Sequence, residues 1–583
     1  MEPSARSSFF QKKSPGVRRV EALVAVMTWK DRVRIMVSIL VIATVIHINN
    51  VIRGAIITRK TNMMQVHGMQ APILIARSIA AASTLPPAAR LADVMGRRAL
   101  VWLSLATFIG GTLLETFSMR LTLYVVGNGL SQMGFTVMGL FIELLIANIS
   151  STRSRIAYSL VPALPVILAT FVSGLLVEVV LADGFPLGWT IGMWCFIFPL
   201  CTMPLMLSLM LVARRRNEGS YCSGTTTSCS SSSPSPSLIS TSTPASPRLH
   251  RFIRFCREIF WVLDIVGVAL IATIMFLLFF PPQFAGGLVS RWSEPAIYVP
   301  MMVGAALIPF FIFWEYQTRH PLIPLPLMRH RSVWAPLAIA FFANCAHSLQ
   351  ANHIYVFVHY VLGRPNREST VISSLDATTS AAVGMVVGIV IMHVRRLKVF
   401  VISGTLLYFF AHLLVFYSRY WATRDVEPAV IGAQILLGAA AGFFPYPTLT
   451  SLQAGVDQDH LAIVTSFFSA LYQVGNALGH AVAGIIWTQL VPFKLVDMLG
   501  YQHGTQALLD PAAMTPNEES TGSGLAWAAR RAYRSVFLYN YISGVVLAAP
   551  VVIFGLLISD PKLNHHQSLV ETLPHECDEA VKT

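Results

Sequence analysis

Charge is scarce in this chain. Asp, Glu, Lys and Arg make up 12% of its 583 residues while 54% are hydrophobic, against roughly 25% charged residues in ordinary soluble domains, which excludes that class. Acid is scarcer than base, with 28 Asp and Glu against 42 Lys and Arg and a formal net charge of +14. The excess base sits at the ends of apolar blocks and not in a patch interleaved with aromatics, so no nucleic-acid partner is expected. Seven cysteines (Cys195, Cys201, Cys222, Cys229, Cys256, Cys345, Cys577) form no C-x-x-C pair and no metal-ligand spacing, so no redox centre, metal or cofactor is assigned. The chain also lacks G-x-x-x-x-G-K-[ST], H-E-x-x-H and a well-placed G-x-S-x-G, which excludes an ATP-driven pump and leaves no enzyme signature. Its first 30 residues are basic but hold no short apolar core with a small-residue cleavage site, so a cleaved signal peptide is not expected.

What the chain does have is apolar blocks of roughly 20 residues, the length of a bilayer-crossing helix, and a mean hydropathy of +0.61. Candidate spans run near 33–57, 69–91, 99–118, 121–146, 156–181, 187–212, 260–281, 296–317, 333–359, 370–393, 398–418, 428–452, 462–490 and 536–558. These predict an all-α polytopic membrane protein with about 14 transmembrane helices. An even number leaves both tails on one side. Placing that side in the cytosol collects Arg90, Arg97, Arg98, Arg153, Arg155, Arg214 to Arg216, Arg319, Arg329, Arg331, Arg395, Arg396 and Lys398 on inner segments, as the positive-inside rule requires.

Two connections are long. Asn217 to Pro247 is mostly Ser, Thr and Pro, too poor in large apolar groups to fold alone. It leads into R-L-H-R-F-I-R-F-C-R-E, where Arg248, Arg251 and Arg254 recur at helical spacing against Phe252, Phe255 and Ile259. Either a helix lying in the membrane interface or a plain basic lead-in to the seventh span fits that run. The second connection, Pro492 to Arg534, faces outward and could cover the mouth of a pathway.

Polar side chains are costly in a bilayer, so those sharing a helical face point to a cavity or a partner helix. In the ninth span Asn344, His347, Ser348, Asn352, Tyr355 and His359 fall within roughly 140° on a helix of about 100° per residue. In the thirteenth, Ser466, Ser469, Gln473, Asn476 and His480 fall within roughly 80°, with Tyr472 beside them and Gly475, Gly479 and Gly484 adjacent. Cavity lining and interhelical hydrogen bonding both fit these faces. The first span offers His47, Asn49 and Asn50, and the second Arg77, 16 residues before Asp93 and hence about 24 Å from the cytosolic loop. Arg77 is a candidate substrate or counter-charge site, with snorkelling outward as the alternative. Acids able to carry a proton are few: Glu115, Glu143 and Glu178, with Asp264 and Asp376 near span ends.

The segment L-A-D-V-M-G-R-R, Leu91 to Arg98, resembles the loop between the second and third helices of the major facilitator superfamily. The resemblance implies a cytosolic gating latch on Asp93, Gly96, Arg97 and Arg98. Further stretches resemble the fungal siderophore-iron transporters, a 14-helix branch: G-W-T-I-G-M-W-C-F-I-F-P (Gly188 to Pro199), H-P-L-I-P-L-P-L-M-R-H-R-S-V-W (His320 to Trp334), R-R-L-K-V-F (Arg395 to Phe400), Y-P-T-L-T-S-L-Q-A (Tyr446 to Ala454), Y-Q-V-G-N-A-L-G (Tyr472 to Gly479), I-W-T-Q (Ile486 to Gln489) and D-P-K-L-N-H-H-Q-S-L (Asp560 to Leu569).

That resemblance implies a major facilitator fold with a cytosolic tail (1–32), a six-helix bundle (33–212), a linker (213–258), two inserted helices (259–317), a second six-helix bundle (318–558) with an outer loop at 492–535, and a cytosolic tail (559–583). It implies a secondary transporter, with proton-coupled uptake of ferric hydroxamate siderophores as the leading expectation. The alternatives are efflux of a fungal metabolite, toxin or drug, and a glutathione-type exchanger. Expected partners are the small-molecule substrate, protons and the lipid bilayer. A monomer in the plasma membrane is expected, with vacuolar and endosomal membranes as alternatives. The expected substrate pathway comprises His47, Asn50, Arg77, Asn344, His347, Asn352, Tyr355, Ser469, Tyr472, Gln473, Asn476 and His480, and the proton-coupling candidates are Glu143, Glu178 and Asp376.

Overall fold

The computed structural model describes residues 26–63, 70–181, 187–222, 254, 257–287, 289–318, 321–322, 327–417, 426–456, 458–504, 523–561 and 563. Nearly all are helical. In a bilayer each backbone N–H and C=O must be satisfied within the segment, which leaves the helix as the solution for long apolar runs. The principal helices are α1 (Trp29–Met63), α2 (Gln70–Met95), α3 (Arg97–Phe117), α4 (Leu121–Ile149), α5 (Pro165–Leu181), α6 (Trp194–Cys222), α7 (Ile265–Phe279), α8 (Pro295–Gln317), α9 (Arg331–Ala351), α10 (Leu375–Val394), α11 (Lys398–Tyr417), α12 (Val426–Phe443), α13 (Gln458–Leu499) and α14 (Ser523–Leu557).

Thirteen stretches among the described residues are long and apolar enough to cross a membrane. The remaining principal helix is α2, which carries Arg77, Arg90 and Asp93 as well as Pro86 and Pro87. More than half of its residues are buried, and it packs against α4, α13 and α7. An interior helix of this kind faces protein more than lipid, so it needs less hydrophobicity.

Helices α1 to α6 form one half and α9 to α14 the other. Within the first, α3 packs along α4 and α1 touches α5 and α6; within the second, α9 lies against α13 and α14, and α10 and α11 against α12. The halves meet through α2 on α13 and through α5 on α10. Both contacts join the second helix of one half to the fifth of the other, as expected of two halves related by pseudo-symmetry. Helices α7 and α8 pack on each other, and α7 packs on α2, outside the two halves.

Lipid tails give helices no hydrophobic reason to associate, so close backbone approach carries much of the packing. At Gly479 an added Cβ would lie 2.5 Å from the Cys345 carbonyl oxygen on α9, and Gly475 meets the Phe341 carbonyl in the same way. Gly96, at φ 88°, lets α2 turn directly into α3; Arg395, at φ 61°, makes the matching turn from α10 to α11.

Four expectations need correction. The ninth span is not one helix over 333–359: α9 ends at Ala351, His353 leaves helical geometry (φ −121°, ψ 5°), and a π-type segment follows at Phe357–Val361. The stretch expected as an outer loop at 492–535 is helical at both ends, because Val491, Leu495 and Leu499 of α13 bury against Ala529, Ala532 and Val536 of α14. The linker expected from 213 begins later, since α6 runs on to Cys222. Its Ser-rich part beyond that point and most of the basic run at 248–258 lie outside the described residues. The tenth span is split into a short helix, Asn366–Ser373, and α10, which turns at Ser374.

Candidate substrate pathway

A cavity of about 630 Å³ lies between the two halves. His47 and Asn50 of α1 and Gln132 and Glu143 of α4 face it from one side. Asn344 and His347 of α9, Asp376 of α10, and Ser469, Tyr472 and Gln473 of α13 face it from the other. Nine residues singled out from the sequence therefore share one space: His47, Asn50, Asn344, His347, Ser469, Tyr472, Gln473, Glu143 and Asp376. The volume falls within the roughly 300–1,000 Å³ typical of small-molecule sites.

Arg77 stands just behind the wall. Its guanidinium donates to Gln132 Oε1 at 2.7 Å and to Asn50 Oδ1 at 3.3 Å, and both amides line the cavity. Its hydrogen-bond partners are neutral, so positive potential reaches the cavity through the two amides. Glu143, among the described residues, makes no hydrogen bond or ion pair. His347 Nε2 lies 3.7 Å from Asp376 Oδ2, a contact between α9 and α10 that becomes an ion pair when the imidazole is protonated.

The other expected pathway residues lie elsewhere. Asn476 accepts from Ser348 Oγ at 2.7 Å and donates to Gln473 Oε1 at 3.1 Å, one step behind the wall. Tyr355 donates to Asn366 Oδ1 at 2.9 Å on the outer side, because the break in α9 takes it off the face shared by Asn344 and His347. Asn352 is buried beyond the cavity, and His480 lies further along α13. Glu178 is exposed on α5 and does not face the cavity.

On the loop between α2 and α3, Gly96 supplies the turn, Asp93 is half-buried and has an interaction partner, and Arg98 is exposed. The side chain of Arg97 lies outside the described residues. Arg90, just upstream, donates to the carbonyls of Val262 (3.1 Å), just before α7, and Pro321, just after α8. Asp264 caps α7 through Gly267 N at 3.2 Å and accepts Trp314 Nε1 of α8 at 2.9 Å. The inserted pair is thereby tied to the end of α2.

Sequence reasoning missed Arg53. It forms a buried ion pair with Glu115 across α1 and α3, the two side chains being 2% and 0% exposed. Asn49 Oδ1 (3.1 Å), Thr112 Oγ1 (2.9 Å) and Ser131 Oγ (3.1 Å) accept its remaining hydrogens. Lys60 donates to the Glu115 carbonyl at 2.8 Å and lies over the Tyr124 ring at 4.8 Å. The signal was present: an Asn and an Arg four residues apart near the end of an apolar span.

No family model matches the chain. It is 28% identical over 552 residues to the siderophore iron transporter ARN2 of Saccharomyces cerevisiae, covering 94% of this chain and 85% of that one. It is 29% identical over 502 residues to siderophore iron transporter 1 of the same yeast, covering 84% and 76%. The chain has the major facilitator fold and is a homologue of the siderophore iron transporters. Among solved structures the chain is similar to a bacterial homologue of the human lysosomal transporter Spinster in an inward-facing, occupied conformation. The TM-score is 0.52 at 13% identity, covering 91% of this chain and 97% of that one, and this likeness speaks to fold alone. With thirteen candidate spans among the described residues, the chain is a multi-pass integral membrane protein.

Proposed function

We propose that this transporter carries ferric siderophores of the hydroxamate type into the cell, coupled to protons, across a fungal plasma membrane and as a monomer. The observation that carries the reading is the cavity between the halves, where amide, phenol and imidazole groups stand beside two carboxylates. The iron travels already chelated, so the wall needs donors for the chelate's oxygens and no metal ligands of its own. The named functions of its relatives support the same cargo.

For coupling, Glu143 and the His347–Asp376 pair are the proton-accepting groups, since they face the cavity and can meet either side as the halves rock. Glu178, pointing away, takes no part. The latch residues Asp93, Gly96, Arg97 and Arg98 hold the cytosolic ends of α2 and α3 and release when the cavity opens inward.

The test is accumulation of labelled ferric siderophores of several chemotypes in a yeast stripped of its own siderophore uptake. Uptake of a hydroxamate that collapses with a protonophore is expected. No uptake of any chemotype, with toxin resistance in its place, would overturn import in favour of efflux.

A further inference from the structure

Beyond the cavity, the outer part of the second half holds buried polar atoms that the proposed function does not use. Asn352 is 4% exposed and His353 3% exposed, at the point where α9 breaks. Both side-chain amide atoms of Asn352, Nδ1 of His353 and Nδ1 of His480 are buried without a hydrogen-bond partner among the described residues. An unsatisfied buried polar atom costs about 1–3 kcal/mol, and four in one neighbourhood are more than packing alone accounts for. Such atoms are the usual seats of internal water.

They lie where the end of α9 packs on α13. His353 lies flat on Trp487 of α13, ring centroids 4.2 Å apart, with Phe537 of α14 at its edge. His480 stands seven residues before Trp487 on α13, two turns away on the same face, and the Ser348–Asn476 hydrogen bond at 2.7 Å joins α9 to α13 one turn further on, toward the cavity. His347 in turn meets Asp376 at the cavity. The other titratable or charged groups around these residues are Tyr408 and His412 of α11, Tyr533 and Tyr541 of α14, and Arg77 of α2.

We infer that His353 and His480, bridged by waters held on Asn352, form a proton relay from the outer part of the second half to the His347–Asp376 pair. A proton arriving at one ring nitrogen of His353 is matched by loss of the proton on the other nitrogen. The ring ends neutral in the opposite tautomer, and the proton passes through water to His480. The same exchange there delivers it to His347 and on to the Asp376 carboxylate. The departure from helical geometry at His353 takes its ring out of line with the helix that carries His347, and a π-type segment, a feature that often marks functional sites, follows at Phe357–Val361.

This relay rests on the proton-coupled reading, so the experiment separates the two. In proteoliposomes, pH-gradient-driven accumulation of a ferric hydroxamate is compared with exchange of labelled for unlabelled substrate at equal pH. The wild type, His353→Asn and His480→Gln are assayed. Accumulation is expected to fall by about tenfold or more in both variants while exchange stays within a factor of about two of wild type. Retained accumulation in His480→Gln, the less buried position, would overturn the relay while leaving coupling intact. Accumulation and exchange falling together would also overturn it, in favour of a packing role. A wild type indifferent to the gradient would overturn the proton-coupled reading itself, and the relay with it.

Discussion

Both halves of the molecule bury neutral polar side chains, Asn128 in the first and Asn540 in the second among them, but they differ in the charge they bury beside them. The first uses full charges: Arg53 on Glu115, with Lys60 beside them and Arg77 on two amides. The second uses neutral groups: Asn344, Ser348, Asn352, His353, His412 and Asn540 are buried there, several with unfilled hydrogen-bonding capacity. A buried ion pair costs about 3–5 kcal/mol to break from one side, so α1, α3 and α4 are bound into one body. Neutral groups exchange partners, including water, at about 1 kcal/mol each. The contrast predicts a stiffer first half and a more adaptable second, with the cavity at the seam between them.

The largest test of that contrast is Glu115→Ala, which strands Arg53 without its counter-charge. It is expected to destabilise the protein by about 3–5 kcal/mol, read as a lower thermal midpoint in detergent and loss from the cell surface. Asn352→Ala in the second half is expected to cost no more than about 1 kcal/mol; equal losses would erase the difference between the halves. Next in size is Arg77→Ala. Surface level should hold while ferric-siderophore uptake falls about tenfold or more, as expected when a positioned cation worth about 1.4 kcal/mol or more is removed. Unchanged uptake would take Arg77 out of the pathway.

Gly479→Ala sharpens the comparison at the α9–α13 contact, where the new methyl meets the Cys345 carbonyl. Overpacking there should cost about 1–3 kcal/mol in thermal stability, with uptake lowered in step. The smallest effect is expected on the outer surface. Arg364 donates to Glu427 at 2.7 Å, and that hydrogen bond raises the guanidinium pKa further. The pair stays charged across physiological pH, but solvent screens it. Arg364→Gln should therefore leave uptake and thermal midpoint within measurement error.

Much of the architecture was legible because it follows from hydropathy and spacing. The apolar blocks locate the helices, and α13, unbroken from Gln458 to Leu499, keeps its polar side chains on one continuous face. Face arithmetic failed on α9 for a specific reason. It assumed a straight helix, and the backbone leaves that geometry at His353, whose ring meets Trp487 of a distant helix. That contact is tertiary and has no local signature. Arg53 escaped notice because it sits near the end of an apolar span, where a basic residue usually means an interface; only the fold brings Glu115 from 62 positions away to meet it.

The resemblance stretches also carry more structure than their spacing shows. Asp560, from D-P-K-L, accepts Leu397 N at 3.1 Å and Lys398 N at 3.3 Å, capping α11, and pairs with Arg396 at 3.0 Å. It thereby joins R-R-L-K-V-F to the end of α14. Two motifs whose Arg396 and Asp560 are 164 positions apart are thus two sides of one corner.

The central claim is that protons and cargo share the seam between a rigid and an adaptable half. Its most direct test is ferric-siderophore accumulation as a function of external pH in the double variant Glu143→Gln, Asp376→Asn. Wild-type accumulation should rise as external pH falls, whereas the double variant should accumulate no substrate at any pH yet still exchange labelled for unlabelled substrate. Accumulation in the double variant with the wild-type pH dependence would contradict the account.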